Sequence, residues 1–186
     1  KEIYFTSGAT ESNNLIIQGV LKAWKEKNPA RIPHVISSPL EHASVYAPIQ
    51  TAVKNGLCTV SYLTPDAQGR LDADELKRAL RAETCLVALM LANNEIVNIY
   101  PTDTFSRLVH QRSPDVHFHC DSVQAIGKVD DFPKMLAEVD SLSLSWHKIA
   151  ALKGCGALFL KTGRLVEPHQ FGGGQEAGLR PGTHNM

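Results

Sequence analysis

Residues 141–148 read SLSLSWHK, an alternating run that ends on serine, tryptophan and histidine and then delivers a lysine. On a surface, Lys148 is a solvated charge. In a low-dielectric pocket its ammonium form is disfavoured, its pKa falls, and the amine becomes a nucleophile toward carbonyl groups. A second stretch, VHFHCDSVQ, puts His117, His119 and Asp121 on one face of a strand and Val116, Phe118 and Cys120 on the other. Asp121 ends that strand, where a carboxylate either caps the next helix or meets a cationic ligand, and on this stretch alone the two readings are even. Gln124 follows within reach of the same ligand. His117 and His119 read as structural or solvated groups, because no further side chains are spaced to complete a metal site with them. A third stretch, TSGATESNN, opens a helix with a glycine and small hydroxyl residues. Exposed N–H groups and the helix dipole suit a phosphate there. A plain N-cap by Ser7 or Thr10 is the simpler reading of that stretch by itself.

Taken together, these parts describe one chemistry. A phosphate cup, a carboxylate at a strand end and a lysine on a later loop are what pyridoxal phosphate (PLP) requires. Lys148 would hold it as a Schiff base, and Asp121 would keep its ring nitrogen protonated so that the ring draws electrons from a substrate carbon.

The elements that must position these groups alternate along the chain. EIYFTS, HVISS, LCTVSYL, CLVALMLA, VHFHCD, SLSLS and GALFLK read as strands. ATESNNLIIQGVLKAWKEKN, ASVYAPIQTAVKNG, LDADELKRALR and TDTFSRLVHQR read as helices, the third with Asp72 and Glu75 in capping-box positions. This order predicts an α/β fold of three layers, α/β/α, around a mostly parallel sheet. Ligands of such sheets sit beyond the carboxyl ends of the strands. Here those ends carry Ser7 to Thr10, Glu41-His42, Asn93 to Glu95, Asp121 to Gln124 and Ser145 to Lys148, and the five converge on one place.

The chain has 186 residues, with Lys+Arg and Asp+Glu equal at 19 each. That balance gives no general electrostatic reason to bind nucleic acid, and no apolar stretch approaches a membrane span. Of the cysteines, Cys58, Cys85 and Cys155 stand in or beside apolar strand-like runs and Cys120 in VHFHCD, without metal-type spacing; reduced thiols in a cytoplasmic protein are the expectation. The chain begins as though inside a strand and stops in a loop, as an internal piece of a longer protein would.

Seven blocks in order, FTSGATESNN, EHASV, NNEI with a later proline, HCDSVQAIGK, SLSWHK, KGCGALFLK and GGGQEAGLRPGTHN, make the sequence similar to the NifS/IscS-type cysteine desulfurases, in the class-V aminotransferase family of fold-type I PLP enzymes. The resemblance implies that residues 1–186 are the PLP-binding large domain, incomplete at both ends and without the C-terminal small domain. It implies roles for single residues. Ala9 and Thr10 bind the phosphate; His42 stacks on the ring and takes part in acid–base steps; Asn94 sits near the ring hydroxyl and substrate carboxylate. Asp121 pairs with the ring nitrogen and Gln124 with the ring hydroxyl. Ser145 and His147 hold the phosphate, Lys148 bears the cofactor, and Thr183 reaches the phosphate of a neighbouring subunit, which implies a homodimer. The implied reaction takes sulfur from L-cysteine, leaving alanine and an enzyme persulfide for an iron–sulfur scaffold or other sulfur acceptor. Selenocysteine lyases and other class-V lyases or aminotransferases share the lysine, aspartate and histidine, and a non-catalytic scaffold is the alternative of a different class. None of the four cysteines stands in the family's persulfide motif, so this chain alone is not expected to release sulfide. Three departures stand out: Ala151-Leu152 where the lysine loop usually has glycine-proline, Trp146 where glycine is common, and Val97 where NNE-x-G has glycine.

Overall fold

The computed structural model describes residues 2–130, 132–135 and 138–184. Strands β1 (Ile3–Thr6), β2 (His34–Ser37), β3 (Thr59–Tyr62), β4 (Thr84–Met90), β5 (His117–Asp121), β6 (Ser141–Ser145) and β7 (Gly156–Leu160) form one sheet in the order β1-β7-β6-β5-β4-β2-β3. β7 runs antiparallel to both neighbours, and the remaining pairs are parallel. The mostly parallel sheet predicted from the alternating pattern is therefore present.

Helices cover both faces. On one side, α1 (Ala9–Lys27) and α2 (Ala43–Lys54) close a core of Leu15, Ile16, Val20, Ile49, Leu86 and Leu158. On the other, α3 (Ala73–Ala79) and α4 (Thr102–Arg112), with the short α5 (Phe132–Met135), cover Leu76, Val87, Phe105 and Phe118. α1 presents Leu15, Ile16, Val20 and Leu21 to the sheet at helical spacing, and each such buried side chain contributes about 1.5–3 kcal/mol. The same face also buries Ser12 and Asn13 completely, two polar groups that must find partners inside. β4 is buried along its whole length, as a strand covered on both sides must be.

The capping box expected at α3 is only half present. Asp72 caps the helix by accepting from Asp74 N–H. Glu75 instead turns outward, and its carboxylate accepts from Thr64 N–H at 3.1 and 3.2 Å. That tertiary bond ties the loop after β3 to the helix.

Register brings the carboxyl ends level. Met90 pairs with Asp121 and Asp121 with Ser143 across three adjacent strands. The start of α1 is drawn against the top of β6 and β7 because Gly156 has no side chain: a Cβ there would lie 2.5 Å from Gly8 Cα.

Candidate active site

A cavity of about 590 Å³ opens at these level strand ends. Its walls include Ala9, Thr10, His42, Asn94, Asp121, Gln124, Ser145, His147 and Lys148, so one space gathers every residue expected from the sequence except Thr183. Thr183 lines an adjoining cavity with Phe5, Trp146, Cys155 and Arg180.

One end of the cavity is built for an anion. α1 starts at Gly8, which makes no side-chain capping bond, so neither Ser7 nor Thr10 acts as the plain cap considered above. Glu11 accepts from Ser7 N–H, and Arg180 Nε donates to Glu11 Oε1 at 2.8 Å, fastening the loop before Thr183 to this rim. Burial alone would raise the Glu11 carboxyl, but the Arg180 and Ser7 bonds outweigh it and hold it below its usual range. Ser145, buried at the end of β6, lies 2.9 Å from His147 Nδ1 through its Oγ. Ser145 Oγ also stands beside Gly8, 3.7 Å from where a Cβ would be.

Lys148 does not continue the strand. β6 ends at Ser145, and Trp146–Ile149 form one 3₁₀ turn closed by Ala150 in a left-handed conformation, φ 60°. The turn is exposed, and Lys148 with it. The desolvated pocket expected around this amine is therefore not supplied by the described residues; Lys148 faces an open cavity. Trp146 lines the adjoining cavity and not this one, so it packs behind the anion cup without crowding it. The Ala151-Leu152 departure leaves an exposed segment, with Leu152 at 77 % exposure, held at its base by Trp146 N–H donating to the Cys155 carbonyl.

Another part of the cavity wall is acidic and buried. Asp121 is 6 % exposed. Its Oδ2 accepts from Asn13 Nδ2 at 2.9 Å and its Oδ1 from Val123 N–H at 3.1 Å. Among the described residues no lysine or arginine pairs with it, and burial pushes its pKa up. Glu41 is buried beside it, with Oε1 accepting from Met90 N–H at 2.9 Å and Oε2 lacking a partner. Burial, and secondarily the Asp121 charge, raises Glu41 well above the usual carboxylate range.

His42 heads α2 as its N-cap and is exposed at the cavity wall. Asn94 stands exposed on the loop after β4, and that loop is shaped by Asn93: its Oδ1 accepts from Glu95 and Ile96 N–H, and its Nδ2 donates to the Leu40 carbonyl. Val97, in the same loop, takes φ 61°, the left-handed conformation that favours glycine. Gln124 is half-buried and accepts from Lys128 Nζ at 2.8 Å.

Sequence reasoning missed Asn13 and Ser44, and placed Glu41 and Asn93 at the converging strand ends without giving either a role. The usable signal was polar residues at buried helical spacing: Asn13 follows Thr10 by one turn on the face that carries Ile16 and Val20. His117 and His119 are buried and hydrogen-bonded to Ser141 and Asn13, the structural outcome expected for them. Cys58, Cys85 and Cys120 are buried, and burial pushes their thiols up, to about 11 for Cys58 and about 12 for Cys120. Cys155 is half-buried. No described helix is long and apolar enough to cross a membrane.

A family model described as aminotransferase class-V matches residues 1–183. A NifS/IcsS protein homologue of Lactobacillus delbrueckii subsp. bulgaricus is 44% identical over 185 residues, 100% of this chain and 46% of the relative. Cysteine desulfurase IscS of Dictyoglomus turgidum is 42% identical over 185 residues, 100% of this chain and 45% of the relative. Among solved structures, one described as SspA in complex with cysteine superimposes with a TM-score of 0.85 at 37% identity, covering 98% of this chain and 51% of that one. The chain thus spans about half the length of the curated relatives it matches.

Proposed function

Because the chain belongs to the class-V aminotransferase family, we propose that it is the PLP-binding large domain of a cysteine desulfurase, a protein that takes sulfur from L-cysteine and leaves alanine. One observation carries the reading: Asp121 is a buried carboxylate with no lysine or arginine partner among the described residues, in the wall of a cavity that also includes an uncapped helix start and the amine of Lys148. A group with a protonatable ring nitrogen at one end and a phosphate at the other fits that polarity.

In this reading the first-turn N–H groups of Ala9 and Thr10, with Ser145 and His147, hold the phosphate, and Lys148 bears the cofactor. Asp121 receives the ring N–H, Gln124 and Asn94 line the ring hydroxyl side, and His42 stacks on the ring face. When bound, PLP supplies an electron sink for the carbon that carries the substrate amine. Lys148 would hold the cofactor through its amine and would move a proton at that carbon. Asp121 makes the sink effective by keeping the ring nitrogen charged. The assignment to cysteine follows the names of the relatives and the cysteine-bound neighbour. The persulfide nucleophile is assigned to none of the four cysteines, three of which are buried with raised pKa. Thr183, outside this cavity, would serve the phosphate of a second copy, so a homodimer is part of the reading. The four free thiols support a reducing, cytoplasmic setting, and a sulfur-acceptor or iron–sulfur scaffold protein is the natural recipient.

The test is to mix the folded chain with PLP, reduce with borohydride and map the adduct by mass spectrometry. Pyridoxyl on Lys148, absent from Lys148→Ala, is the expected result. A folded chain that yields no adduct, or one modified elsewhere, would overturn the reading. Sulfide release from L-cysteine is not expected from these 186 residues alone; robust release would move the nucleophile into this chain.

A further inference from the structure

A run of buried polar side chains follows β5 from its start to the cavity at its carboxyl end, and its donors and acceptors fit together in one way. Ser44 N–H, which can only donate, lies 3.1 Å from His42 Nδ1. That ring nitrogen therefore keeps its lone pair, and the proton of the neutral ring sits on Nε2. Ser44 Oγ, 2.8 Å from the same Nδ1, must then donate its hydroxyl hydrogen there. Its lone pairs remain free to accept, and Asn13 Nδ2 donates to it at 2.8 Å. The second hydrogen of that amide goes to Asp121 Oδ2 at 2.9 Å, an acceptor that fixes which way the amide faces.

The chain continues behind Asn13 in the same sense. Asn13 Oδ1 accepts from His119 Nε2 at 2.9 Å, and His119 Nδ1 accepts from Ser141 Oγ at 2.7 Å. Ser141, its one hydrogen used, accepts from His117 Nε2 at 2.7 Å. Burial holds both rings neutral, pushing His119 down to about 3 and His117 to about 4, so each has one donor and one acceptor nitrogen as the chain requires. Asn13 is completely buried and Ser44 7 % exposed, which keeps water from competing for these bonds.

We propose that Asn13 and Ser44 are positioning residues: one amide hydrogen orients Asp121, and the other, relayed by the Ser44 hydroxyl, adds a second donor to the Ser44 backbone N–H in holding His42 as the Nε2–H tautomer. His42 then offers a proton donor at the cavity wall, and accepting the substrate proton falls to Lys148. A proton on His42 Nδ1 would face the Ser44 N–H directly, so the ring cannot take one there without leaving its cap. The consequence for proton transfer rests on the PLP reading above; the tautomer itself does not.

The experiment is a two-bond ¹H–¹⁵N correlation spectrum of ¹⁵N-histidine-labelled protein without PLP, near neutral pH, with His42 assigned by its loss in His42→Gln. The wild type is expected to show His42 as a single Nε2–H species. Ser44→Ala is expected to lower the ratio of Nε2–H to Nδ1–H about tenfold, equivalent to about 1.4 kcal/mol. The signals of His119 should stay unchanged in that variant, and Ser44→Thr should restore the wild-type ratio. A wild-type His42 carrying its proton on Nδ1, or a ratio indifferent to Ser44→Ala, overturns the proposal. Borohydride mapping on the same samples separates the two readings. The expected tautomer with no Lys148 adduct sinks the PLP reading and leaves the hydrogen-bond chain standing; an adduct with the wrong tautomer does the reverse.

Discussion

Two aspartates, Asp121 and Asp140, are buried at opposite ends of the same pair of strands, and their surroundings differ in one respect. Asp140 precedes β6, is completely buried, and supports the start of β5: its Oδ2 accepts from Phe118 N–H at 2.7 Å and from His110 Nε2 at 2.9 Å. Its Oδ1 accepts from Arg164 Nε at 2.7 Å. Burial pushes this carboxyl up, but the His110 bond and the other interactions outweigh it, and the net shift is downward. Asp121 has neutral donors, Asn13 and the Val123 N–H, and its net shift is upward. A buried carboxylate that serves the fold brings its own cation. Asp121, with no lysine or arginine partner among the described residues, suits a positive group from elsewhere, and under the proposed function this contrast, more than the presence of an aspartate, marks the ligand end of the sheet.

The sharpest way to break the contrast is to neutralise each carboxylate in turn. Asp140→Asn leaves the largely buried Arg164 guanidinium without its counter-charge and should cost about 3–5 kcal/mol, read from the urea midpoint. Asp121→Asn strands no protein charge, so its stability should stay within about 1 kcal/mol of wild type or rise. Its PLP affinity should fall by about 2–5 kcal/mol, the loss expected when one partner of a buried charge pair is removed. If Asp121→Asn proves the more destabilising substitution and still binds PLP, the two sites are not what their charges say.

A finer test uses pH, because the two carboxyls carry opposite signs. Asp140 is lowered from its ordinary value of 3.8. It therefore adds stability that is complete above that value and drains away as pH falls through the lowered one. Asp121 is raised from 3.8, so the folded state loses stability as pH rises from 3.8 through the raised value. Urea midpoints between about pH 3 and pH 7 should show the deficit of Asp140→Asn shrinking toward the acid end. Any gain of Asp121→Asn should grow toward neutrality. Parallel curves for the two variants would remove the distinction.

The same contrast explains what could be read in the sequence. The sheet was legible because the alternation of SLSLS and the continuous apolar run of CLVALML follow directly from burial on one or both faces, and the carboxyl-end rule then named the residues around the cavity. Asp121 was legible because it ends an alternating strand. Asp140 was not, since its partners Arg164 and His110 stand 24 and 30 positions away. Asn13 and Ser44 were hidden in polar helix starts, where amides and hydroxyls usually cap or face water; packing of α1 against β5 buries Asn13, and Ser44 is buried where α2 meets α1. Which of the two settings weighed for Lys148 holds was not legible for a related reason. The run before it dictates where the strand stops, while how deeply the following turn is covered depends on what packs over it. Glu75 left its capping box because Thr64, eleven residues earlier, offered an unsatisfied N–H.

Backbone strain sharpens the comparison at the smallest scale. Among the described residues, the non-glycine positions with left-handed φ are Val97, Ala150, Glu176 and Ala177; Val97 and Ala150 lie in the segments that follow β4 and β6 at the cavity end, and none of the four flanks Asp140. Val97 is the informative one, because a β-branched side chain is the least suited to φ 61° and, at 80 % exposure, gains no packing in return. Val97→Gly should therefore stabilise the chain by about 1 kcal/mol, the left-handed penalty less the entropy that glycine adds to the unfolded state. The same substitution should leave the Asp140 pH dependence untouched, since it lies at the far end of the strands. If Val97→Gly instead destabilises the chain, the conformation of that loop is held by contacts of the valine side chain, and Asn94 is presented to the cavity by packing and not by the backbone turn that Asn93 holds.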